Sequence, residues 1–333
     1  MVRRIGFGVS SVFVFVLAAL WPLQGLAFPL IAAPPGAYSE TMDQAWLPGV
    51  YYSLGLKKFL NSFTSYQFPN PFPPNQDPLS RLEFPIDQWF LGGSANQVTS
   101  IFSLSGNYWV NVNRESALKM QDSDWTDDAM TSQKTIFSES KCRLNKALLA
   151  EAQVSAAISH ETASIFRPVV GWRYQYFFFT THDGYQSELG GVAVDLPGDG
   201  IEFTQIFNHY YVGAMANTTV DLGAFISSLP RIRIEAQADY GMVVARNQDL
   251  HLLRDGERYT IERTRGHCWH VYLCAALLSA RNATARIEAD FKRVLTNGGH
   301  QLTNSAFALD FSFDGANVWS DQASVAAVGE VRF

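Results

Sequence analysis

The 333-residue sequence lacks any long hydrophobic run beyond its N-terminus, although 47% of its residues are hydrophobic. A membrane-spanning helix needs about 18 or more consecutive apolar residues, so the sequence excludes a helical membrane protein. Charged residues are also few, at 17%, whereas aromatic residues reach 14%. This composition fits a transmembrane barrel, whose strands alternate lipid-facing apolar residues with polar residues that face the interior.

The sequence also lacks a basic cluster and a set of cysteines that could form a disulfide framework. The net charge of -6 is mild, and without a basic cluster no nucleic-acid partner is expected. Cys142 stands alone, and Cys268 and Cys274 would lie about 20 Å apart in one strand, too far for a bond. His267 and His270 flank Cys268, but a strand would place His267 on the opposite face, so no metal site is predicted.

The N-terminus predicts a secreted protein. Arg3 and Arg4 precede an apolar stretch over residues 5–21, and small residues follow up to Ala27. Such a segment is typical of a signal peptide, here residues 1–27; an uncleaved anchor helix is the alternative, disfavoured by the short apolar core. Residues 28–49 contain several prolines and are interpreted as an irregular leader, which leaves residues 50–333 for the barrel.

Residues 231–251 show the strand period most clearly. Apolar side chains occupy the even positions from Ile232 to Val244, whereas the odd positions from Arg233 to Asp239 are polar. A period of two indicates a β-strand with one face in lipid. The odd positions continue to Asn247, Asp249 and His251, so an Asp and a His are expected on the polar face at one end.

The same alternation predicts an all-β fold, a transmembrane antiparallel up-and-down barrel of ten strands with long extracellular loops. Gly92, Gly93 and Asn96 predict a tight turn after the second strand, and residues 307–313 are assigned to an extended loop hairpin. Phe333, at the end of the last strand, resembles the sorting signal of bacterial outer-membrane barrels. The other predicted strands cover residues 50–68, 79–91, 98–113, 146–158, 164–181, 201–215, 231–251, 269–276 and 283–296.

Two side-chain doublets are candidates for chemistry. Asp122 and Asp124 are two residues apart, as are Asp249 and His251, so each doublet projects to one side of extended backbone. If both chain termini are periplasmic, the connections after strands three and seven lie outside the cell, where both doublets would stand above the lipid. A His held by a carboxylate can accept a proton while a second carboxylate pair orients a water; calcium binding is the alternative for an isolated Asp-x-Asp.

These doublets resemble the motifs of the omptin family of outer-membrane proteases. Asp122-Ser123-Asp124-Trp125 is similar to the family's Asp-x-Asp-Trp segment, and Asp249-Leu250-His251 is similar to its Asp-x-His. The resemblance covers most of the chain after residue 50, with the motifs in the same order.

The resemblance implies an extracellular endopeptidase in the outer membrane of a Gram-negative bacterium, with polypeptides as substrates and no metal or other cofactor. It implies that His251 is the general base, that Asp249 orients it, and that Asp122 and Asp124 hold the nucleophilic water. It also implies lipopolysaccharide as an activator and outer-membrane lipid as a partner.

The substrate pocket departs from the family pattern. Family members cleave beside basic residues and use acids in the pocket. Two of the corresponding positions here are Asn247 and Ser138, and a third, in the first strand, falls near Phe63. Altered specificity is therefore expected, with Glu115, Asp127 and Asp128 as possible replacement acids. The alternative is a non-proteolytic barrel, an adhesin or structural protein. An outer-membrane phospholipase would need a Ser nucleophile near a His, and the sequence shows no convincing pair. A general porin is disfavoured because ten strands enclose little more than their own side chains.

Overall fold

The computed structural model describes residues 48–157, 164–221, 231–254, 256, 258–278 and 283–333, where the regular elements are β-strands. No helix in these ranges is long and apolar enough to cross a membrane. The predicted signal peptide and the leader up to residue 47 lie outside the described residues. The strands are β1 Gly49–Phe68, β2 Ser80–Ile86, β3 Trp89–Val98, β4 Phe102–Asn111, β5 Met120–Asp124, β6 Ile136–Ala156, β7 Ser164–Glu188, β8 Val194–Asp221, β9 Arg231–His251, β10 Arg258–Leu278, β11 Ala283–Asn304 and β12 Leu309–Arg332.

These strands form one antiparallel sheet that closes on itself. From β6 to β12 each strand pairs with the next along the chain, and β12 pairs with β1 to complete the ring. β1 contacts β3 along its first half and β2 along its second half, whereas β6 contacts β5 along its first half and β4 along its second half. β2 and β3 therefore share one strand position in the ring, and β4 and β5 share another. The twelve strands thus fill ten positions, and the predicted ten-stranded barrel is confirmed.

Burial alternates along the strands with the predicted period of two. On β9, Tyr240 and Met242 are 57% and 70% exposed, whereas Gln237 and Asp239 are buried. An apolar exterior around a polar interior is the arrangement that lipid requires of a barrel. Large apolar side chains also cover the outer faces of other strands, including Leu54, Val212, Trp269, Leu273 and Ile287.

Several strands extend beyond the predicted ends. β6 begins at Ile136 rather than near residue 146, and β11 continues to Asn304 rather than ending near residue 296. In the added part of β6 the pairing with β7 shifts register twice, between Glu139 and Lys141 and between Leu144 and Lys146, so a strict alternation does not continue through it. The extended hairpin expected over residues 307–313 belongs to the turn and start of β12, which pairs with β11 from Leu309 onward.

The turn predicted at Gly92, Gly93 and Asn96 is wrong, because all three residues lie within β3. A Cβ atom on Gly92 would lie 2.4 Å from the ring of Trp109. Glycine is therefore needed there for close packing against the neighbouring strand. The chain reverses over residues 99–101 instead.

A β-bulge in β1 changes which of its side chains face the interior. Asn61 has a left-handed φ of 43°, and the pairing with β12 shifts between Leu60 and Phe63. Before the bulge, odd-numbered residues such as Phe59 are buried; after it, even-numbered residues such as Tyr66 are buried. The bulge thus places the end of β1 in the opposite register from the one a strict alternation predicts.

The interior holds a charged layer on the side where β1 begins and β12 ends, and an aromatic layer above it. In the charged layer, Arg173 contacts Glu151 and Asp239 at 2.6 Å each. In the aromatic layer, the rings of Phe84 and Phe203 stack with centroids 4.2 Å apart. The candidate doublets lie above this aromatic layer, whose other fully buried members are Tyr66, Phe177, Phe179 and Phe207.

Candidate active site

Both doublets face the interior at the end of the barrel opposite the start of β1 and the end of β12. Asp122 lies on β5, where its cross-strand neighbours are the buried residues Leu82 and Ser138. Asp249 is fully buried on β9, where its neighbours are the buried residues Phe203 and Thr260. Each doublet therefore keeps the inward face of its strand, as the two-residue spacing predicts.

The doublets interact electrostatically across the barrel. Burial and the charge of Asp124 raise the pKa of Asp122 to about 7, against the opposing influence of His251. The Asp122 Oδ1 atom is shielded from solvent and has no hydrogen-bond partner among the described residues. Carboxyl groups with pKa values perturbed in this way by burial and a specific charged neighbour cluster at functional sites.

His251 is held by its neighbour on β9. Its Nε2 atom lies 3.5 Å from Asp249 Oδ2. Burial lowers the pKa of the His251 imidazole, but the charges of Asp249 and Asp122 outweigh burial and leave this pKa raised. Because Asp122 and His251 each influence the other's pKa, the two side chains lie close enough to interact electrostatically across the barrel. We call the space between the two doublets the cleft.

The cleft stands beyond the apolar exterior. On the outer face of β9, Val244 is the last exposed large apolar side chain, seven residues before His251. Seven residues of extended strand span about 23 Å. The outward residue after Val244 is the exposed Arg246, so the cleft lies above the band that lipid would cover.

Two residues that the sequence did not indicate belong to this site. Tyr66 is fully buried, and its hydroxyl donates a hydrogen bond to Asp249 Oδ2. Arg258 is the cross-strand neighbour of His251, and its charge opposes protonation of the imidazole. An uninterrupted alternation along β1 would turn Tyr66 outward, so only recognition of the bulge at Asn61 could have revealed it.

Two of the three predicted substrate-binding residues face the barrel interior, and the third faces outward. Asn247 is fully buried two residues before Asp249, and Ser138 is buried beside Asp122. Phe63 is not brought to the cleft, because the bulge places it on the outward parity of β1 between the buried residues Ser62 and Thr64.

The acids considered as replacements have other partners. Glu115 contacts Arg143 and His182. Asp127 accepts hydrogen bonds from backbone N–H groups of its own loop, and Asp128 accepts one from Gln76.

A buried acid does lie beside Asn247. Glu262 is its cross-strand neighbour on β10 and is fully buried, with Oε1 2.9 Å from His300 Nδ1. Burial raises the pKa of Glu262, against the opposing influence of His300. An acid whose pKa is raised by burial gives up its charge more readily, so Glu262 is a poor counter-charge for a cationic substrate side chain.

The residues considered for a metal site are separated by the strand as predicted. His267 is exposed on the outer face of β10, whereas Cys268 and His270 are buried on its inner face. The three cysteines are free. Within the described ranges, no three His, Cys, Asp or Glu side chains are arranged to hold a metal ion.

Comparisons with known proteins identify the barrel type. The profile of the Omptin family matches residues 75–307. The crystal structure of the outer membrane protease OmpT from Escherichia coli superposes with a TM-score of 0.75 at 16% identity, over 90% of this chain and 99% of that one. The translocator domain of the autotransporter NalP from Neisseria meningitidis reaches a TM-score of only 0.32 at 9% identity, over 96% and 98% of the two chains. A search of curated protein sequences found no match. With the family profile covering more than two thirds of its length, the chain belongs to the omptin family.

Proposed function

We propose that this protein is an outer-membrane endopeptidase that hydrolyses peptide bonds with a water activated by His251. The observation that carries the proposal is the meeting of two doublets, from β5 and β9, in one cleft above the aromatic layer. Membership of the omptin family and the fold shared with OmpT support it.

The proposed reaction uses each doublet for one task. Asp122 and Asp124 position a water by hydrogen bonding, and His251 takes a proton from it as the oxygen attacks the peptide carbonyl carbon. Asp249 orients the imidazole and stabilises the imidazolium that forms. His251 then gives the proton to the departing amine, and no covalent acyl-enzyme is formed.

The site is proposed to face the cell exterior. β1 begins and β12 ends at the same rim of the barrel, where Tyr51 pairs with Arg332, and His251 lies at the other rim. In a Gram-negative outer membrane with periplasmic termini, the cleft opens outward onto polypeptide substrates. Lipopolysaccharide in the surrounding leaflet is proposed as the activator.

We propose that specificity differs from the family's preference for basic residues. The family's pocket acids are replaced by Asn247 and Ser138, and Phe63 faces away from the cleft. Glu262, the buried cross-strand neighbour of Asn247 on β10, has a pKa raised by burial and lies 2.9 Å from His300. A site without a free counter-charge gives no transition-state preference for Arg or Lys side chains.

A peptide-library assay tests activity and preference together. Purified protein reconstituted with lipopolysaccharide is incubated with a random peptide library, and the cleaved bonds are identified by mass spectrometry. We expect lipopolysaccharide-dependent cleavage in which bonds beside Arg and Lys are not enriched. Enrichment of those bonds would contradict the altered specificity, and absence of any cleavage would support the non-proteolytic alternative.

A further inference from the structure

Tyr66 contacts the carboxylate that holds the proposed general base. Its hydroxyl donates a hydrogen bond to Asp249 Oδ2, the same oxygen that lies 3.5 Å from His251 Nε2. The other oxygen of this carboxylate, Oδ1, has no hydrogen-bond partner among the described residues. One oxygen of Asp249 is thus shared between a phenol and an imidazole.

The position of Tyr66 is fixed by packing. The ring is fully buried, and it stacks on Phe203 at 5.5 Å and on Phe68 at 6.4 Å between centroids. The bulge at Asn61 turns this side of β1 toward the interior. A hydroxyl on a ring clamped in this way can restrain the carboxylate that accepts its hydrogen bond.

We propose that Tyr66 is a positioning residue, which fixes the rotamer of Asp249 and limits how strongly that carboxylate attracts a proton to His251. An effect of Tyr66 on catalysis rests on the proposed function, whereas its hydrogen bond to Asp249 does not depend on that function. A hydrogen bond from a neutral phenol disperses the carboxylate charge, so the Asp249–His251 pair binds its proton less tightly than it would alone.

The phenol is a donor throughout the relevant pH range. Burial raises the pKa of Tyr66 well above its ordinary value, and the charges of Asp249 and Glu262 add to this effect. The other groups that face the Asp249–His251 pair are Arg258 on β10, Asp122 and Asp124 on β5, and the pair of Glu262 with His300. None of them is altered by removal of the Tyr66 hydroxyl.

The test replaces the hydroxyl and keeps the ring. In Tyr66→Phe we expect the titration midpoint of His251, followed by NMR on histidine-labelled full-length protein, to move to higher pH than in the wild type. Where the wild type cleaves peptides, kcat should fall about tenfold, since a hydrogen bond to a charged group is lost, and the acidic limb of the pH profile should move to higher pH. KM should change little.

A matched control is present in the other half of the same barrel. Tyr211 is buried on β8, and its hydroxyl donates to Glu151 Oε1 at 2.5 Å. Tyr211→Phe removes the same group from a buried carboxylate far from the cleft, so it should leave the His251 midpoint and the pH profile unchanged. His251→Ala identifies the signal that is followed.

Two outcomes would overturn the inference. One is a His251 midpoint that is unchanged or lower in Tyr66→Phe; the other is an equal displacement in Tyr211→Phe. If the midpoint rises in Tyr66→Phe alone while the wild type cleaves no peptide, the positioning role of Tyr66 stands and the proposed function fails.

Discussion

Replacing His251 with alanine should reduce kcat/KM for peptide cleavage by about a hundredfold to ten-thousandfold, the range over which a positioned general base contributes. His251 Nε2 lies 3.5 Å from Asp249 Oδ2, and the charge of Asp122 on β5 also acts on this imidazole. Initial rates on a peptide selected from the library measure the effect. Far-UV circular dichroism verifies that the variant keeps its β-barrel.

His267→Ala is the matched control. His267 is exposed on the outer face of β10, where it stacks on Tyr240 at 5.7 Å. Its removal should leave kcat/KM within about twofold of the wild type, in line with a surface change that touches no acid–base group. Equal activity of the two variants would show that the imidazole in the cleft takes no part in hydrolysis.

Replacing Arg173 with methionine should lower the free energy of unfolding by about 3 to 5 kcal/mol, because it leaves buried carboxylates without a counter-charge. Arg173 contacts Glu151 with Nε and makes two hydrogen bonds to Asp239, of 2.6 and 2.7 Å. Both acids belong to strands other than β7, so the guanidinium links three walls of the barrel. Equilibrium unfolding in urea, in lipid vesicles, measures the change.

A surface ion pair provides the comparison. Arg293 Nε lies 3.5 Å from Asp321 Oδ1, and the two side chains are 46% and 41% exposed. Exposed pairs contribute about 0 to 1 kcal/mol, so Arg293→Met should change the unfolding free energy by no more than that. A similar loss in both variants would mean that the buried network gives the barrel no special stability.

The parts of the fold that face lipid could be predicted from the sequence. β9 was predicted over residues 231–251 and spans Arg231–His251, and β11 begins at Ala283 as predicted. Every second residue of a membrane-spanning strand faces lipid and is apolar, so such a strand shows a period of two in the sequence. The positions of Asp249 and His251 on the inner face follow from that signal alone.

Features set by contacts inside the barrel could not be predicted in this way. Phe177 and Phe179 are fully buried on the inward parity of β7, so apolar residues occupy both faces there and the alternation is lost. Nothing in a periodic pattern locates the bulge at Asn61, which brings Tyr66 to Asp249. Which buried acid neighbours Asn247 likewise depends on the register between β9 and β10.

The titration of His251 in Asp122→Asn tests most directly whether the doublets of β5 and β9 share one cleft. The carboxylate of Asp122 raises the pKa of His251 across the barrel, so its conversion to an amide should lower the NMR titration midpoint of that imidazole. This measurement does not depend on catalytic activity. A lower midpoint in Asp122→Asn is the predicted result, whereas a midpoint identical to that of the wild type would place the two doublets apart and contradict the account.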